Sequence, residues 1–208
     1  LLGGVPGVAP GKVVVIGGGV AGLNAAVIAV GMGADVTIID RSVSRLQYID
    51  TIYGGRIKTL TASKHAIERE VKQADLVIGA VLVHGAMAPK LVSNALVAKM
   101  KAGSVLVDIA IDQGGCFEDS RATTHAEPTY QVHNSTFYCV ANMPGAVPVA
   151  STYALTNATL PYALAIANLG WEKAFKEDSN LAKGLNVHNG QIYYQAVAKA
   201  HGYASVEL

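Results

Sequence analysis

Three glycines and an aspartate carry the clearest chemistry in this sequence. Gly17, Gly19 and Gly22 stand in G-x-G-x-x-G spacing, directly after the β-branched run Val13 to Ile16 and directly before the apolar stretch Val20 to Val30. In that context the first glycine allows a tight turn, the second leaves the backbone open to a pyrophosphate, and the third lets a helix pack close to a strand. Val20 and Ala21 then open the helix, whose unpaired N–H groups and dipole favour an anion. Asp40 ends a second apolar run, Val36 to Ile39, about 20 residues beyond the turn, where an acid accepts hydrogen bonds from an adenosine ribose 2'-OH. A carboxylate there repels a 2'-phosphate, so NAD is expected over NADP. Arg41, the next residue, is a cation that can hold such a phosphate, and it keeps NADP open.

Ligands of an open parallel sheet bind beyond the carboxyl ends of its strands, and three further segments fall there. Ala80-Val81-Leu82-Val83-His84-Gly85 offers small and apolar side chains to a nicotinamide ring. Asp108-Ile109-Ala110-Ile111-Asp112-Gln113-Gly114-Gly115 offers an acid, an amide and two glycines. Asn142-Met143-Pro144-Gly145 offers an amide and an adaptable thioether. Each segment also has a plainer reading. Ala80 to Val83 can be the end of a core strand, Asp112 a cap for the turn at Gly114, Asn142 a turn residue, and Asp108, inside its strand, a structural acid. His65, His84, His125, His133, His188 and His201 show no metal-ligand spacing, so no metal is expected. His84 alone falls near the expected site. Cys116 and Cys139 read as small buried side chains, too few for a disulfide framework.

The elements that must position these groups alternate. Apolar runs at Val13 to Ile16, Val36 to Ile39, Arg56 to Leu60, Leu76 to Val83, Ser104 to Ala110 and Phe137 to Ala141 read as strands. Helical patterns at Val20 to Val30, Ser42 to Tyr53, Lys64 to Gln73 and Pro89 to Met100 lie between them. Continuous apolar strands separated by helices predict an α/β fold, a Rossmann-type doubly wound parallel sheet. From Pro148 the character changes to helices at Thr152 to Leu169, Glu172 to Leu181 and Gln191 to Ala200 without an intervening strand. The expected domains are therefore a dinucleotide-binding domain, residues 1–148, and a helical segment, residues 149–208, that either covers the sheet or belongs to a second, substrate domain whose remainder lies upstream. Val13 to Ala34 is uncharged and long enough to span a bilayer, but its six glycines break a single helix. With 208 residues, 51% hydrophobic and 15% charged, a large core is expected. A net charge of +1 without a basic run points away from nucleic acid and anionic membranes. Two cysteines and no signal peptide before the first strand suggest a reducing cytoplasm. The chain opens Leu-Leu-Gly-Gly only a dozen residues before the cofactor strand, and it reads as the back part of a longer protein.

The segments VLVDIAIDQGGCFE (Val105 to Glu118), FYCVANMPGAVP and STYALTNATLPY resemble bacterial L-alanine dehydrogenase, and the likeness runs across essentially the whole chain. Related transhydrogenase subunits share the glycine motif but typically carry no aspartate in an IDQGG setting. The resemblance implies reversible oxidative deamination of L-alanine to pyruvate and ammonium with NAD. Asp40 would hold the ribose. Ala80, Val81, Leu82 and Ile109 would border the cofactor, and Asp112, Asn142 and Met143 would face the nicotinamide and substrate, with Asp112 the catalytic candidate. It further implies a homo-oligomer, commonly a hexamer, and an upstream half that supplies an arginine, a lysine and a histidine. The isolated chain is then expected to bind NAD but to turn over alanine poorly. The alternative is a non-catalytic dinucleotide-binding module of the proton-translocating transhydrogenase kind.

Overall fold

The computed structural model describes residues 1–83 and 87–207. Strand β1 (Lys12–Ile16) leads through the glycine turn into helix α1 (Val20–Gly31), β2 (Asp35–Asp40), α2 (Val43–Tyr53), β3 (Ile57–Thr61), α3 (Lys64–Lys72) and β4 (Leu76–Gly79). Helix α4 (Asn94–Val97), β5 (Val105–Asp108), β6 (Thr129–Val132) and β7 (Ser135–Tyr138) complete the first unit. The strands form one sheet in the order β3-β2-β1-β4-β5-β7-β6. All neighbours are parallel except β6 and β7. The order reverses beside β1, so the expected doubly wound α/β sheet is present, with an antiparallel strand at one edge. Val13 and Val15 pack on one face and Val14 and Ile16 on the other, all nearly inaccessible. Burial on both faces explains why this strand is a continuous β-branched run. Val13 to Ala34 is thereby divided into strand, turn and helix, and no helix among the described residues is long and apolar enough to cross a membrane.

Several boundaries differ from those the sequence predicts. The strand expected to reach Val83 ends at Gly79, because its neighbours end with it: Ile16 pairs with Gly79, and Gly79 with Asp108. The helix expected from Pro89 to Met100 shrinks to α4, capped by Ser93. The backbone before it is committed elsewhere. The Ala88 and Leu91 N–H groups donate to Gln113 and Cys116 carbonyls at 3.0 and 2.7 Å, and the Glu118 N–H donates to Val92 O at 2.9 Å. The strand expected at Phe137 to Ala141 lies at Ser135–Tyr138, as the second arm of a hairpin whose first arm, β6, the sequence reading missed. His133, in the left-handed region (φ 51°), makes that turn.

The second unit, from Pro144 onward, holds α5 (Pro148–Leu169), α6 (Trp171–Glu177), α7 (Ser179–Ala182), β8 (Val187–His188), β9 (Gln191–Ile192) and α8 (Gln195–His201). Here the expectation of helices alone is corrected. Gln191 begins a strand of a small hairpin whose turn uses Asn189 and Gly190, both at positive φ, which is the Asn-Gly signature of such turns. The helix expected across Glu172 to Leu181 is two helices. Asp178 stands between them, and its carboxylate accepts from the Asn180 and Leu181 N–H groups at 2.8 and 3.1 Å to cap α7. Helix α5 starts earlier than Thr152, with Pro148 in its first turn, where a missing N–H costs nothing.

Candidate functional site

The site is built where β1, β4 and β5 end. Gly17 has φ +104°, a region that L side chains rarely adopt, and a Cβ there would lie 2.6 Å from the Ala80 carbonyl oxygen. A Cβ on Gly22 would overlap the Gly17 carbonyl oxygen and approach Ala80 Cβ at 3.2 Å. The first and third glycines therefore let strand, turn and helix close on one another and on the start of the Ala80 segment. Gly19 is different: nothing lies within 4 Å of a Cβ placed there. It is the N-cap of α1 without a side-chain cap, so the first N–H groups of that helix face open space, and Val20 beside them is 80% exposed. Open backbone at an uncapped helix start fits a pyrophosphate.

Asp40, partly buried at the end of β2, closes the turn. Its Oδ2 accepts the Gly18 N–H at 2.6 Å and its Oδ1 accepts the Ser42 N–H at 2.8 Å. Each oxygen keeps a further lone pair, so the carboxylate can hold the loop and still accept from a ribose hydroxyl. Arg41 is exposed beside it. The sequence reading missed Arg45. This residue enters α2 one turn after the Ser42 cap, which accepts its N–H at 3.2 Å. Its Nε donates to the Gly18 carbonyl and its NH2 group to the Gly19 carbonyl at 3.5 Å, while the guanidinium lies 4.9 Å from the Tyr48 ring centre. The Ser42 cap was the signal in the sequence that could have fixed its place.

Ala80 continues from β4 with its N–H on the Ile16 carbonyl at 2.8 Å, and Val81 packs against the core. Leu82 is 63% exposed. The Val83 N–H donates to Gln113 Oε1 at 3.3 Å, which ties this segment to the short 3-10 turn Ile111–Gln113 after β5. Ile109 is half-buried and hydrogen-bonded to the Gly79 carbonyl at 2.8 Å, and Asp112 is exposed on that 3-10 turn. Lys90 donates to the Gly114 carbonyl at 2.6 Å. Both Arg45 and Lys90 are thus engaged on backbone carbonyls. Asn142 and Met143 lie one strand further out, after β7. Asn142 sits in the left-handed region (φ 58°), and its carbonyl meets His125 Nε2 at 3.1 Å. The structure therefore brings the glycine turn, Asp40, Ala80, Val81, Ile109 and Asp112 to adjacent strand ends, with Asn142 and Met143 at the next. His84 and Gly85 lie outside the described residues.

Cys116 and Cys139 are fully buried. Burial, aided by the Asp108 charge, pushes the Cys116 thiol far up, and burial raises that of Cys139. Both are held as neutral thiols and are poor nucleophiles. Among the described residues no group of three or more His, Cys, Asp or Glu could hold a metal ion.

A doubly wound sheet with a glycine turn at its switch point and an acid at the next strand end defines a dinucleotide-binding domain of the Rossmann class. Residues 1–195 match the family model "Alanine dehydrogenase/PNT, C-terminal domain". The chain belongs to that family. It is 63% identical over 199 residues to an alanine dehydrogenase of Mycolicibacterium smegmatis, a match covering 96% of this chain and 54% of the relative. A solved L-alanine dehydrogenase superposes with a TM-score of 0.88 at 52% identity, over 97% of this chain and 56% of that one. A transhydrogenase from Sinorhizobium meliloti is more distant, with a TM-score of 0.59 and 28% identity over 66% of this chain and 39% of that one. The chain spans about half the length of the curated relatives it matches.

Proposed function

We propose that this chain is the NAD-binding part of an L-alanine dehydrogenase, which catalyses the reversible oxidative deamination of L-alanine to pyruvate and ammonium. The observation that carries this reading is the adjacency, at the ends of β1, β4 and β5, of open space at Gly19, the Ala80–Val81 backbone and an exposed carboxylate, Asp112. Identity to alanine dehydrogenases well above that to the transhydrogenase supports the enzyme over a non-catalytic module.

Gly17, Gly19 and Gly22, with the first N–H groups of α1 at Val20 and Ala21, cradle the pyrophosphate. Asp40 accepts from the adenosine ribose and disfavours a 2'-phosphate, which outweighs the neighbouring Arg41 and selects NAD. Ala80, Val81, Leu82 and Ile109 flank the nicotinamide and exclude water from one side of it. Bound NAD supplies the hydride acceptor for the substrate α-carbon. Asp112 accepts a hydrogen bond from the substrate amine, which aligns the α-carbon, and later takes a proton from the water that attacks the imine. Asn142 and Met143 border the substrate. The substrate carboxylate needs a cation, and Arg45 and Lys90 are both engaged on carbonyls. By the resemblance, an arginine, a lysine and a histidine from outside this chain, which spans about half of its relatives' length, would complete the site. The whole protein acts as a cytoplasmic homo-oligomer.

The test joins this chain to the remaining, amino-terminal portion of the Mycolicibacterium smegmatis relative and follows NADH formation with L-alanine. Alanine-dependent NADH formation is expected. Asp112→Asn should lower turnover by about a hundredfold or more, the usual scale of acid–base assistance, with NADH affinity nearly unchanged. A fusion that binds NADH yet forms none from alanine overturns the reading.

A further inference from the structure

Asp108 is an acid with no accessible surface, and a buried carboxylate persists only when its oxygens are fully hydrogen-bonded. Its donors all come from one loop. Oδ1 accepts the Ala110 N–H at 3.0 Å and faces Cys116 Sγ at 3.6 Å. Oδ2 accepts the Cys116 N–H at 2.8 Å, the Phe117 N–H at 3.3 Å and the Ser120 hydroxyl. Ala110 precedes Asp112 and the other three follow it, so one carboxylate gathers both flanks of the turn that carries Asp112. The loop is drawn in so closely that a Cβ on Gly115 (φ +74°) would lie 2.6 Å from Asp108 Oδ2. From outside, the Ala88 N–H, Lys90 Nζ and the Leu91 N–H hold the carbonyls of Gln113, Gly114 and Cys116.

We infer that Asp108 is a positioning residue: its buried carboxylate preforms the loop 109–120 and thereby holds Ile109 and Asp112 against the nicotinamide half of the dinucleotide. The inference rests on the proposed function for the placing of that half. The adenosine half is held by other groups, at Gly17 to Gly22 and Asp40. Loss of the carboxylate should therefore be felt by one half of the ligand and not by the other. Asparagine at 108 turns an acceptor oxygen into an NH2 group that faces N–H donors, which leaves those donors unpaired.

The experiment measures, by calorimetry on the 208-residue chain, the Kd of NADH and of ADP-ribose, which lacks the nicotinamide. The unaltered chain is expected to bind NADH more tightly than ADP-ribose. Asp108→Asn should weaken NADH by about tenfold to a hundredfold, the scale of a lost charged hydrogen bond, and leave ADP-ribose within about twofold. Ser120→Ala, which removes one donor, should shift the same ratio by about threefold. It decides the matter alone if Asp108→Asn does not fold. Equal weakening of both ligands, or of neither, overturns the positioning role, as does an unaltered chain that binds the two equally. An unaltered chain that binds neither ligand instead sinks the reading of the site, and the positioning role with it.

Discussion

A methyl group added to each glycine of the turn meets a different environment, and this separates folding from binding residue by residue. On Gly22 it would meet the Gly17 carbonyl and Ala80 Cβ, neither of which can move without displacing a strand. Gly22→Ala is expected to destabilise the chain by about 1–3 kcal/mol, as overpacking does, and to abolish NADH binding. On Gly19 the same group would meet nothing within 4 Å, at a φ of −64° that any residue adopts. Gly19→Ala should leave the thermal midpoint unchanged while weakening NADH, because the methyl group enters the space proposed for the pyrophosphate. Thermal melts and NADH titrations of the two variants check this, and an equal fall in midpoint for both would refute it. The spacing alone announced the close packing at Gly22 and the open backbone at Gly19. It gave no sign of Arg45, whose guanidinium reaches back to Gly18 and Gly19 only because α2 packs beside the turn.

At the scale of elements, α3 is fastened to the sheet by charge. Glu70, 7% exposed, pairs with Lys12 Nζ of β1 at 2.7 Å and with Arg69 Nε at 2.8 Å. Asp75 accepts the Lys12 N–H at 2.7 Å and pairs with Lys101 at 2.9 Å. Burial pushes both carboxyls up, but the hydrogen bonds and charges of Lys12 and Arg69 on Glu70, and of Lys12 and Lys101 on Asp75, outweigh it and hold both below their usual values. Unfolded carboxyls therefore take up protons at higher pH than folded ones do. The stability these groups supply is complete above the ordinary carboxylate range and is lost as pH falls through it, from about pH 4 downward. Glu70→Gln should lower stability near neutral pH by about 1–2 kcal/mol and make the acid decline shallower. Urea midpoints at neutral and acid pH test both effects, and an unchanged acid slope would count against Glu70. Backbone commitments decided the other elements. Residues 89–92 read as helix by pattern, yet Leu91 and Val92 bond to the loop after β5, and local propensity does not outweigh such long-range hydrogen bonds.

For the whole molecule, the decisive feature is α5. None of its residues is buried, and Val149, Tyr153 and Leu155 are 72%, 68% and 65% exposed. Apolar surface of this extent favours association. The mass of the isolated chain in light scattering should rise with concentration, and Leu155→Glu with Leu164→Glu should suppress the rise; a constant monomer mass for the unaltered chain would refute this. The sequence by itself determined the class: β-branched runs of strand length, a glycine spacing and an acid at the right distance are local patterns, and they identified the α/β sheet, the turn and Asp40. It also carried the family, through short segments such as IDQGG and ANMP. Tertiary structure decided the rest. It ended β4 where its neighbours end, paired β6 with β7, divided the helices beyond Pro148, and brought Arg45 to the turn and Asp108 to the loop that follows it. Each of these depends on partners distant in the chain, whose approach is fixed by burial and hydrogen bonding across the sheet and not by any neighbouring residue.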